Sequence, residues 1–461
     1  MAFSLIDETS GATPIVALAQ KRLSSWLEAA PEYERNWLRA IGFTAAAGKV
    51  ALVPGTTGGL ARVLVGLGDG SDTASAIWAL AGLPETLPEG SYRLETTPDG
   101  ADPNQLALGW ALGTYAFTRY HAKPASGAAL VWPAGADRGR VERLACAIFL
   151  ARDLVNTPAG DLGPEELAAA AVRVAESAGA CHRVITGDEL LSENYPTIHT
   201  VGRASTRAPR LVDIVWGEPS APKVTLVGKG VCFDSGGLDL KPAAGMRLMK
   251  KDMGGAAIML GLAQAIIDAR LPVRLRVLLP CVENSVSGNA MRPMDVVRTR
   301  KGLTVEIGNT DAEGRLILCD ALAEASTENP VLLIDMATLT GAARVALGPE
   351  VPALFCNDDR LAGGLLDAAE AETDPMWRMP LWRPYRKLLD SKIADLNNVS
   401  EGPYAGAITA ALYLQEFVAP GISWAHFDVM AWNPQSRPGR PEGGEATALR
   451  ALYAYIYERF G

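Results

Sequence analysis

The second half of the chain alternates short, almost uninterrupted apolar runs with longer segments in which apolar residues recur at helical spacing. Four of the runs have the length and composition of strands buried on both faces. They are residues 211–216, 224–227, 275–279 and 331–335. Helical segments near 255–269 and 315–325 are interleaved with them. The pattern predicts a largely parallel sheet with helices on both faces, and such sheets bind ligands at the carboxyl ends of their strands.

The N-terminal part of the chain has shorter β-rich runs, separated by turns rich in glycine and proline. The clearest runs are residues 50–53, 61–66 and 129–132. Residues 108–117 contain glycine among apolar residues and predict a closely packed helix. This part therefore has the pattern of a small α/β unit.

A helix is predicted over residues 140–155, and the sequence Asn156-Thr157-Pro158 ends it. The helix lies between the two patterns described above, so it marks the domain boundary. The predicted organisation is an N-terminal α/β domain over residues 1–134, a linker helix over 135–158 and a larger α/β/α domain with a central, mostly parallel sheet over 159–461.

Composition indicates a folded protein and limits the classes of partner that it is expected to bind. The 461 residues are 48% apolar and 21% charged, with a net charge of -9 and no block of basic residues. Nucleic acids and anionic membranes bind to basic surface patches, so neither is indicated as a main partner. No apolar run has membrane-spanning length, and the first residues lack the pattern of a secretory signal. We therefore expect a cytoplasmic protein.

The spacing of the cysteines and histidines does not predict a C-x-x-C site or a histidine-based zinc site. Six cysteines are scattered without a C-x-x-C pair, which is typical of packing residues in a reducing compartment. Cys232 lies within the most charged segment, where it could be mistaken for a nucleophile or a ligand, but we interpret it as a buried packing residue. The four histidines show no paired spacing, so a histidine-based zinc site is not predicted.

The candidate chemistry lies in two segments, residues 228–256 and 309–315. Four of the carboxylates there, Asp234, Asp252, Asp311 and Glu313, stand among glycines and apolar residues. Unpaired charges in such surroundings are costly, and divalent cations are one way to match them. Ordinary surface charges in turns are the alternative. If residues 311–313 are extended, the side chains of Asp311 and Glu313 point to one side with Arg315 behind them.

Both segments resemble the leucyl aminopeptidase (cytosol aminopeptidase) family. The resemblance is carried by Lys-Gly-Val-Cys-Phe-Asp-Ser-Gly-Gly at 229–237 and Asn-Thr-Asp-Ala-Glu-Gly-Arg at 309–315, and it extends over about 152–432. It implies an aminopeptidase that releases N-terminal residues from peptides with a free amino terminus. It also implies a cytoplasmic homohexamer and two divalent ions per subunit, manganese or zinc, that activate a bridging hydroxide.

The same resemblance assigns roles to individual residues. Asp234 and Glu313 would be shared by both ions, Lys229 and Asp252 would complete one site, and Asp311 would complete the other. Lys241 would stabilise the oxyanion, and Arg315 would hold a bicarbonate. The positions matching the substrate pocket are Met249, Asn309, Thr338, Leu339 and Gly341.

The chain departs from the family pattern at Met430-Ala431, at Met294 and in the closing segment 442–450, which lacks the usual Thr-Gly arrangement. Met430-Ala431 stands where relatives usually have Ala-Gly, so we expect Met430 to narrow the pocket and shift the preference away from bulky residues such as leucine. Met294 stands where glycine is common.

Alternatives remain for the site and for the whole protein. Without metal, Lys229 would be an ordinary cation paired with Asp234, and Lys241 would be a solvated turn residue. A two-metal phosphoryl-transfer enzyme would use a similar carboxylate cluster, although the chain lacks a Gly-Lys-Ser/Thr phosphate loop. A scaffold without activity is the third possibility.

Overall fold

The computed structural model describes residues 3–7, 10–56, 58–69, 74–98, 100–123 and 127–461. The chain divides into two compact units. Unit 1 comprises residues 1–146 and 435–442, and unit 2 comprises 147–434 and 443–461. Among the described residues, no helix has the length and apolar character needed to span a bilayer.

Unit 1 contains a mixed sheet and several helices, in agreement with the predicted α/β pattern. Its strands are β1 (Leu5–Ile6), β2 (Thr13–Leu18), β3 (Val50–Pro54), β4 (Leu60–Gly66), β5 (Gly90–Leu94) and β6 (Ala128–Val131). Its helices are α1 (Gln20–Ala29), α2 (Glu32–Ala40), α3 (Ala74–Ala81), α4 (Leu83–Thr86) and α5 (Pro103–Gly113). The strands lie in the order β1-β6-β5-β2-β4-β3, and all neighbours are parallel except β3 and β4.

Two predicted helices can be compared directly with the structure. The helix predicted over 108–117 is α5 and begins earlier, at Pro103, because the Asp102 side chain accepts a hydrogen bond from Asn104 N at 2.9 Å and so caps it. It also ends earlier, at Gly113. The helix predicted over 140–155 is α6 (Arg138–Asn156), within which the chain passes from unit 1 to unit 2.

Unit 2 is built on a larger sheet. Its helices are α7 (Pro164–Ser177), α8 (Glu189–Ser192), α9 (Pro196–Gly202), α10 (Ala243–Met246), α11 (Gly254–Asp268), α12 (Glu313–Thr327), α13 (Gly341–Leu347), α14 (Asp359–Ala371), α15 (Gly406–Gln415) and α16 (Leu449–Phe460). Two 3-10 helices span Met249–Met253 and Arg383–Leu389.

The strands of unit 2 form the large sheet and two small ones. They are β7 (Cys181–Thr186), β8 (Arg210–Trp216), β9 (Lys223–Gly228), β10 (Gly230–Asp234), β11 (Arg274–Asn284), β12 (Val296–Arg298), β13 (Thr304–Glu306), β14 (Leu332–Ala337), β15 (Ala353–Cys356), β16 (Trp377–Arg378), β17 (Leu396–Asn397), β18 (Trp424–Asp428), β19 (Trp432–Asn433) and β20 (Gly443–Gly444). The large sheet has the order β16-β15-β18-β14-β9-β11-β8-β7, with β10 also paired to β11. The small sheets are β12-β13-β17 and β19-β20.

The centre of the large sheet is parallel, as the apolar runs predict. Strands β18, β14, β9 and β11 are parallel neighbours, and antiparallel pairs occur only toward the edges of this sheet. Val227, Leu278 and Leu333 of these strands share one buried cluster with α9, α12 and α15. Helix α11 packs on the same strands with α16 behind it. The sheet therefore lies between helices, and its carboxyl edge is where β9, β10, β11 and β14 end.

Candidate metal centre

Lys229 lies between β9 and β10 and contacts two acids from distant parts of the chain. Its Nζ is 2.7 Å from Asp252 Oδ2 and 2.9 Å from Glu313 Oε1. It also donates a hydrogen bond to the Thr338 carbonyl oxygen at 3.0 Å. Burial opposes its charge, but the surrounding carboxylates, Asp252 first, outweigh burial and raise the pKa of Lys229 well above its usual value.

The expected pairing of Lys229 with Asp234 is wrong. Asp234 Oδ2 instead lies 2.8 Å from Lys241 Nζ, and Lys241 also contacts Asp311. The interpretation of Lys241 as a solvated turn residue is wrong as well, since its side chain is only 14% exposed. The two lysines thus divide the four carboxylates between them: Lys229 takes Asp252 and Glu313, and Lys241 takes Asp234 and Asp311.

Asp234 is the last residue of β10, and the turn that follows holds its carboxylate. Its Oδ1 accepts hydrogen bonds from Gly236 N at 2.9 Å and from Asn284 Nδ2 at 2.8 Å. Gly236 has a φ of +89°, and a Cβ there would lie 2.5 Å from the Asp239 carbonyl oxygen, so the turn needs glycine. Burial, followed by the charge of Asp252, raises the pKa of Asp234 to about 6.

The segment Asn309–Arg315 is not extended, contrary to expectation. Asp311 lies in a turn, and Glu313 is the first residue of α12. The reason is local: Asp311 N donates to Asn309 Oδ1 at 2.7 Å, a side-chain bond that favours a turn over a strand. Gly314 then lets α12 lie against Lys229, because a Cβ at this position would be 2.5 Å from Lys229 Cε.

Two buried asparagines position these acids, and sequence reasoning missed both. Asn284, which holds Asp234, ends β11 at the carboxyl edge of the sheet. If the strand predicted at 275–279 had been extended to residue 284, it would have placed Asn284 at this edge. Asn398 Oδ1 accepts from Gly308 N at 2.8 Å and Asn309 N at 3.2 Å, and its carbonyl oxygen accepts from Arg315 Nη1 at 2.6 Å. Asn398 follows a strand of two residues, so no local pattern marks it.

Arg315 lies in the first turn of α12, and its guanidinium is buried. Its Nε has no hydrogen-bond partner among the residues that the structure describes. Burial lowers the pKa of Arg315. Cys232 of β10 is fully enclosed, as predicted for a packing residue, and burial raises the pKa of its thiol well above the usual value.

The residues predicted to line a substrate pocket fall on elements that adjoin the acids. Met249 begins the 3-10 helix that carries Asp252, and it is buried. Thr338 Oγ1 donates to Asp252 Oδ1 at 2.7 Å, Leu339 N donates to Asp428 Oδ1 at 3.0 Å, and Gly341 is the first residue of α13. Asn309 lies beside Asp311, as described above.

Met430 follows β18 and is half-buried. The next residue, Ala431, has a φ of +53°. A Cβ on Gly254, the first residue of α11, would be 2.3 Å from the Ala431 Cβ, so the segment carrying Met430 runs along the start of α11.

The carboxylates have the chemistry of a divalent-cation site. Oxygens of Asp234, Asp252 and Glu313 lie within 4.8 Å of one another, and all three residues are buried. Glu313 Oε2 is enclosed without a hydrogen-bond partner among the described residues. Buried oxygens in excess of their donors are what a hard cation requires, so these residues fit a metal ion.

A buried acidic cluster at the carboxyl edge of a parallel sheet is typical of a metal-dependent hydrolase. Comparison with known proteins agrees, and the chain belongs to the cytosol aminopeptidase family. The model of its catalytic domain matches residues 149–453, and that of the M17 aminopeptidase N-terminal domain matches 13–133. The family predicted from the two motifs is thereby confirmed, and the protein is a metallo-exopeptidase that hydrolyses peptides.

Individual relatives cover most of the chain. It is 45% identical to Peptidase B of Yersinia pestis over 359 residues. The aligned residues cover 74% of this chain and 83% of that protein. It is 48% identical to the crystal structure of a cytosol aminopeptidase from Coxiella burnetii, with a TM-score of 0.95 over 99% of this chain and 100% of that one. The bottromycin maturation enzyme BotP, solved in complex with Mn, is 35% identical with a TM-score of 0.89 over 98% and 100% of the two chains.

Proposed function

We propose that this aminopeptidase works with two divalent cations, manganese or zinc, held by Lys229, Asp234, Asp252, Asp311 and Glu313. The observation that carries the proposal is the excess of buried carboxylates over cations, with Glu313 Oε2 left without a hydrogen-bond partner among the described residues. A solved relative that contains Mn supports the choice of metal. When bound, such a pair of ions lowers the pKa of water and polarises the scissile carbonyl.

Lys241 supplies fixed positive charge where the substrate carbonyl becomes an oxyanion. Burial opposes its charge, but the carboxylate of Asp234 and its hydrogen bonds raise the pKa of Lys241 above the usual value, so it stays protonated. A preorganised charge of this kind contributes about 3–4 kcal/mol to catalysis.

Arg315 cannot act as a base because its guanidinium remains charged. Its Nη1 is fixed by the Asn398 carbonyl oxygen at 2.6 Å, while Nε is enclosed without a partner among the described residues. This supports Arg315 as the holder of a small anion, bicarbonate, beside Glu313.

The proposal is tested with metal-stripped protein and leucine p-nitroanilide, adding Mn, Zn, Co and Mg separately. We expect activity to return with Mn or Zn on the free amine, and no activity on N-acetyl-leucine p-nitroanilide. Equal turnover of the acetylated substrate would contradict an exopeptidase site of this design. An aryl phosphate serves as a further control for the phosphoryl-transfer alternative.

Met430 is proposed to narrow the pocket for the N-terminal side chain. It is half-buried, and its neighbour Ala431 lies against Gly254 at the start of α11, which supports this. We expect Met430→Ala to raise kcat/KM for leucine amide relative to alanine amide by about tenfold, the effect of one or two methylene groups in a pocket. An unchanged ranking of the leucine, methionine and alanine amides would refute the role.

A homohexamer in the cytoplasm is proposed from the family resemblance. Exposed apolar side chains of unit 2, including Leu240, Val286 and Met294, support association, and the six free cysteines support a reducing compartment. Light scattering on the purified protein measures the subunit number.

A further inference from the structure

The loop that follows β14, residues 338–340, is held by the side chain of Asp428. This residue ends β18 and is buried beside Ala337, the last residue of β14 and its partner in the register of the sheet. Its Oδ1 accepts hydrogen bonds from Leu339 N at 3.0 Å and from Thr340 N at 3.1 Å. One carboxylate oxygen therefore fixes two consecutive peptide groups of the loop.

The second oxygen of Asp428 fixes the place where helix α13 begins. Its Oδ2 accepts a hydrogen bond from Thr340 Oγ1 at 2.6 Å. The same hydroxyl accepts the Ala343 N–H at 3.0 Å and so caps α13. Because both oxygens bind the loop or the residue that caps the helix, the position of residues 338–340 relative to β18 depends on this carboxylate.

Thr338, the first residue of the loop, contacts two of the proposed metal ligands. It is buried, and its Oγ1 donates a hydrogen bond to Asp252 Oδ1 at 2.7 Å. Its carbonyl oxygen accepts a hydrogen bond from Lys229 Nζ at 3.0 Å. The backbone of Lys229 is attached to the same strand, because Lys229 N donates to the Met336 carbonyl oxygen at 3.0 Å. Strand β14 and its loop therefore hold Lys229 at both ends and Asp252 by one oxygen.

The contacts of Thr338 restrict how the two ligands present their donor atoms. A lysine can bind a metal ion only through a neutral amine, and a hydrogen bond from that amine to the Thr338 carbonyl oxygen limits the directions of its lone pair. Asp252 Oδ1 is occupied by the Thr338 hydroxyl, and Asp252 Oδ2 lies 2.7 Å from Lys229 Nζ. Groups that hydrogen-bond to metal ligands orient them in this way, and losing such a group lowers the affinity for the metal.

We propose that Asp428 is a positioning residue for metal binding, which acts through Thr338 on Lys229 and Asp252. Its carboxylate contacts the loop, so its effect on the ligands is indirect. The inference rests on the proposed two-metal function. The alternative is that Asp428 only stabilises the fold by accepting the N–H groups of a loop.

The test measures Mn binding to the metal-stripped protein by equilibrium dialysis. Asp428→Ala should raise the Kd of one of the two Mn equivalents by about 10–100-fold, the effect of losing a group that orients a ligand. Asp428→Asn should stay close to the wild-type Kd, because one amide oxygen can still accept both loop N–H groups. Excess Mn should restore most of the activity of Asp428→Ala on leucine p-nitroanilide, since the defect is in affinity.

A double-mutant cycle tests the route through Thr338. Thr338→Val removes the hydroxyl that Asp252 accepts and should also weaken Mn binding. Because both changes act on the same contact, Thr338→Val combined with Asp428→Ala should bind Mn about as well as the weaker single variant.

Asp374→Ala is the matched control. Asp374 is also buried, and its Oδ2 accepts the Arg450 N–H at 3.0 Å in the first turn of α16. It is therefore an acid of the same kind as Asp428, but it holds a different part of unit 2. The change should lower the melting temperature of the metal-stripped protein and leave the Mn affinity unchanged.

The outcomes separate the inference from the function on which it rests. An unchanged Mn affinity in Asp428→Ala would make Asp428 a stabilising residue only, while the two-metal function stands. Equal losses in Asp428→Asn and Asp428→Ala would also overturn the inference, since the loss would then follow the charge and not the hydrogen bonds to the loop. Additive effects of Asp428→Ala and Thr338→Val would overturn the route through Thr338.

A variant that fails to fold does not end the test. If Asp428→Ala does not fold, Thr340→Val removes the hydroxyl that contacts Asp428 Oδ2 and should raise the same Kd by a smaller factor. An unchanged Kd in Thr340→Val would then overturn the inference. A wild-type protein that binds no Mn would remove the two-metal function and, with it, this inference.

Discussion

Two clusters of charge lie in unit 2, and they are balanced differently. The carboxylate cluster has four acids, Asp234, Asp252, Asp311 and Glu313, linked by ion pairs to two lysines, Lys229 and Lys241. The arginine network has three acids and three arginines, also linked by ion pairs. Its members are Asp213, Glu324, Glu328, Arg274, Arg276 and Arg300. The first cluster is short of two positive charges, and the second is neutral.

This difference separates a site that binds from a region that stabilises. Arg276 is bidentate on Asp213, with Nε to Oδ1 at 2.9 Å and Nη2 to Oδ2 at 2.6 Å, so its charge is satisfied within the fold. Glu313 keeps one buried oxygen to which no residue in the described part of the chain donates a hydrogen bond. A charge that the fold leaves unmatched lowers its stability, and a bound cation would offset that cost.

The largest expected effect comes from removing an acid of the carboxylate cluster. Glu313→Gln should lower kcat/KM on leucine p-nitroanilide by about 10³-fold or more, because it removes a ligand proposed to serve both ions. It should also abolish the rise in melting temperature that Mn gives the metal-stripped protein. A variant that keeps both activity and Mn-induced stabilisation would show that Glu313 is not a ligand.

The arginine network should respond in the opposite way, which makes Glu324→Gln the matched control. The change leaves Arg276 and Arg300 short of a partner at partly buried positions, and we expect the free energy of unfolding to fall by about 3 kcal/mol. Activity of the folded variant should stay within about threefold of the wild type. A stable but inactive Glu324→Gln protein would break the distinction between the two clusters.

The sequence predicts the parallel sheet and the chemical character of the site, but not its pairings. Apolar runs identify β8, β9, β11 and β14 because a strand buried on both faces is apolar along almost its whole length. No comparable sequence pattern shows which carboxylate a lysine pairs with. Lys229 and Lys241 both lie close to Asp234 in sequence, and only the fold, with Gly314 admitting α12 against Lys229, decides which of them pairs with Glu313.

Local chemistry also explains the error at Asp311 and the departure from the family pattern at Met294. The alternation rule that predicted an extended segment at Asp311 takes no account of the Asn309 side chain, which accepts the Asp311 N–H and makes a turn. Met294 has a φ of +69°, the left-handed region that favours glycine. The glycine common at this position in relatives therefore has a backbone reason, which a single sequence shows only through the resemblance.

A smaller effect is the pH dependence of the free energy of unfolding, which has opposite signs for the two clusters. In metal-free protein the pKa of Asp234 is raised to about 6, chiefly by burial, from a model-compound value of 3.8. A carboxyl group whose pKa is raised in the folded state binds its proton more tightly there than in the unfolded chain. The free energy of unfolding therefore grows as the pH falls through about 6. Between pH 8 and pH 5 the gain from this group is on the order of 1 kcal/mol by this linkage.

Glu328 of the arginine network titrates in the other direction. Its hydrogen bond from Arg274 lowers its pKa below 4.5, so its contribution is complete above pH 4.5 and is lost only as the pH falls through the lowered value. Urea unfolding of the metal-stripped protein at pH 8 and pH 5 should thus show a gain on acidification that Asp234→Asn reduces and Glu328→Gln keeps, with the remainder coming from other buried acids of raised pKa such as Asp320. A gain that Asp234→Asn leaves undiminished would mean that the proton does not relieve the excess negative charge of the carboxylate cluster.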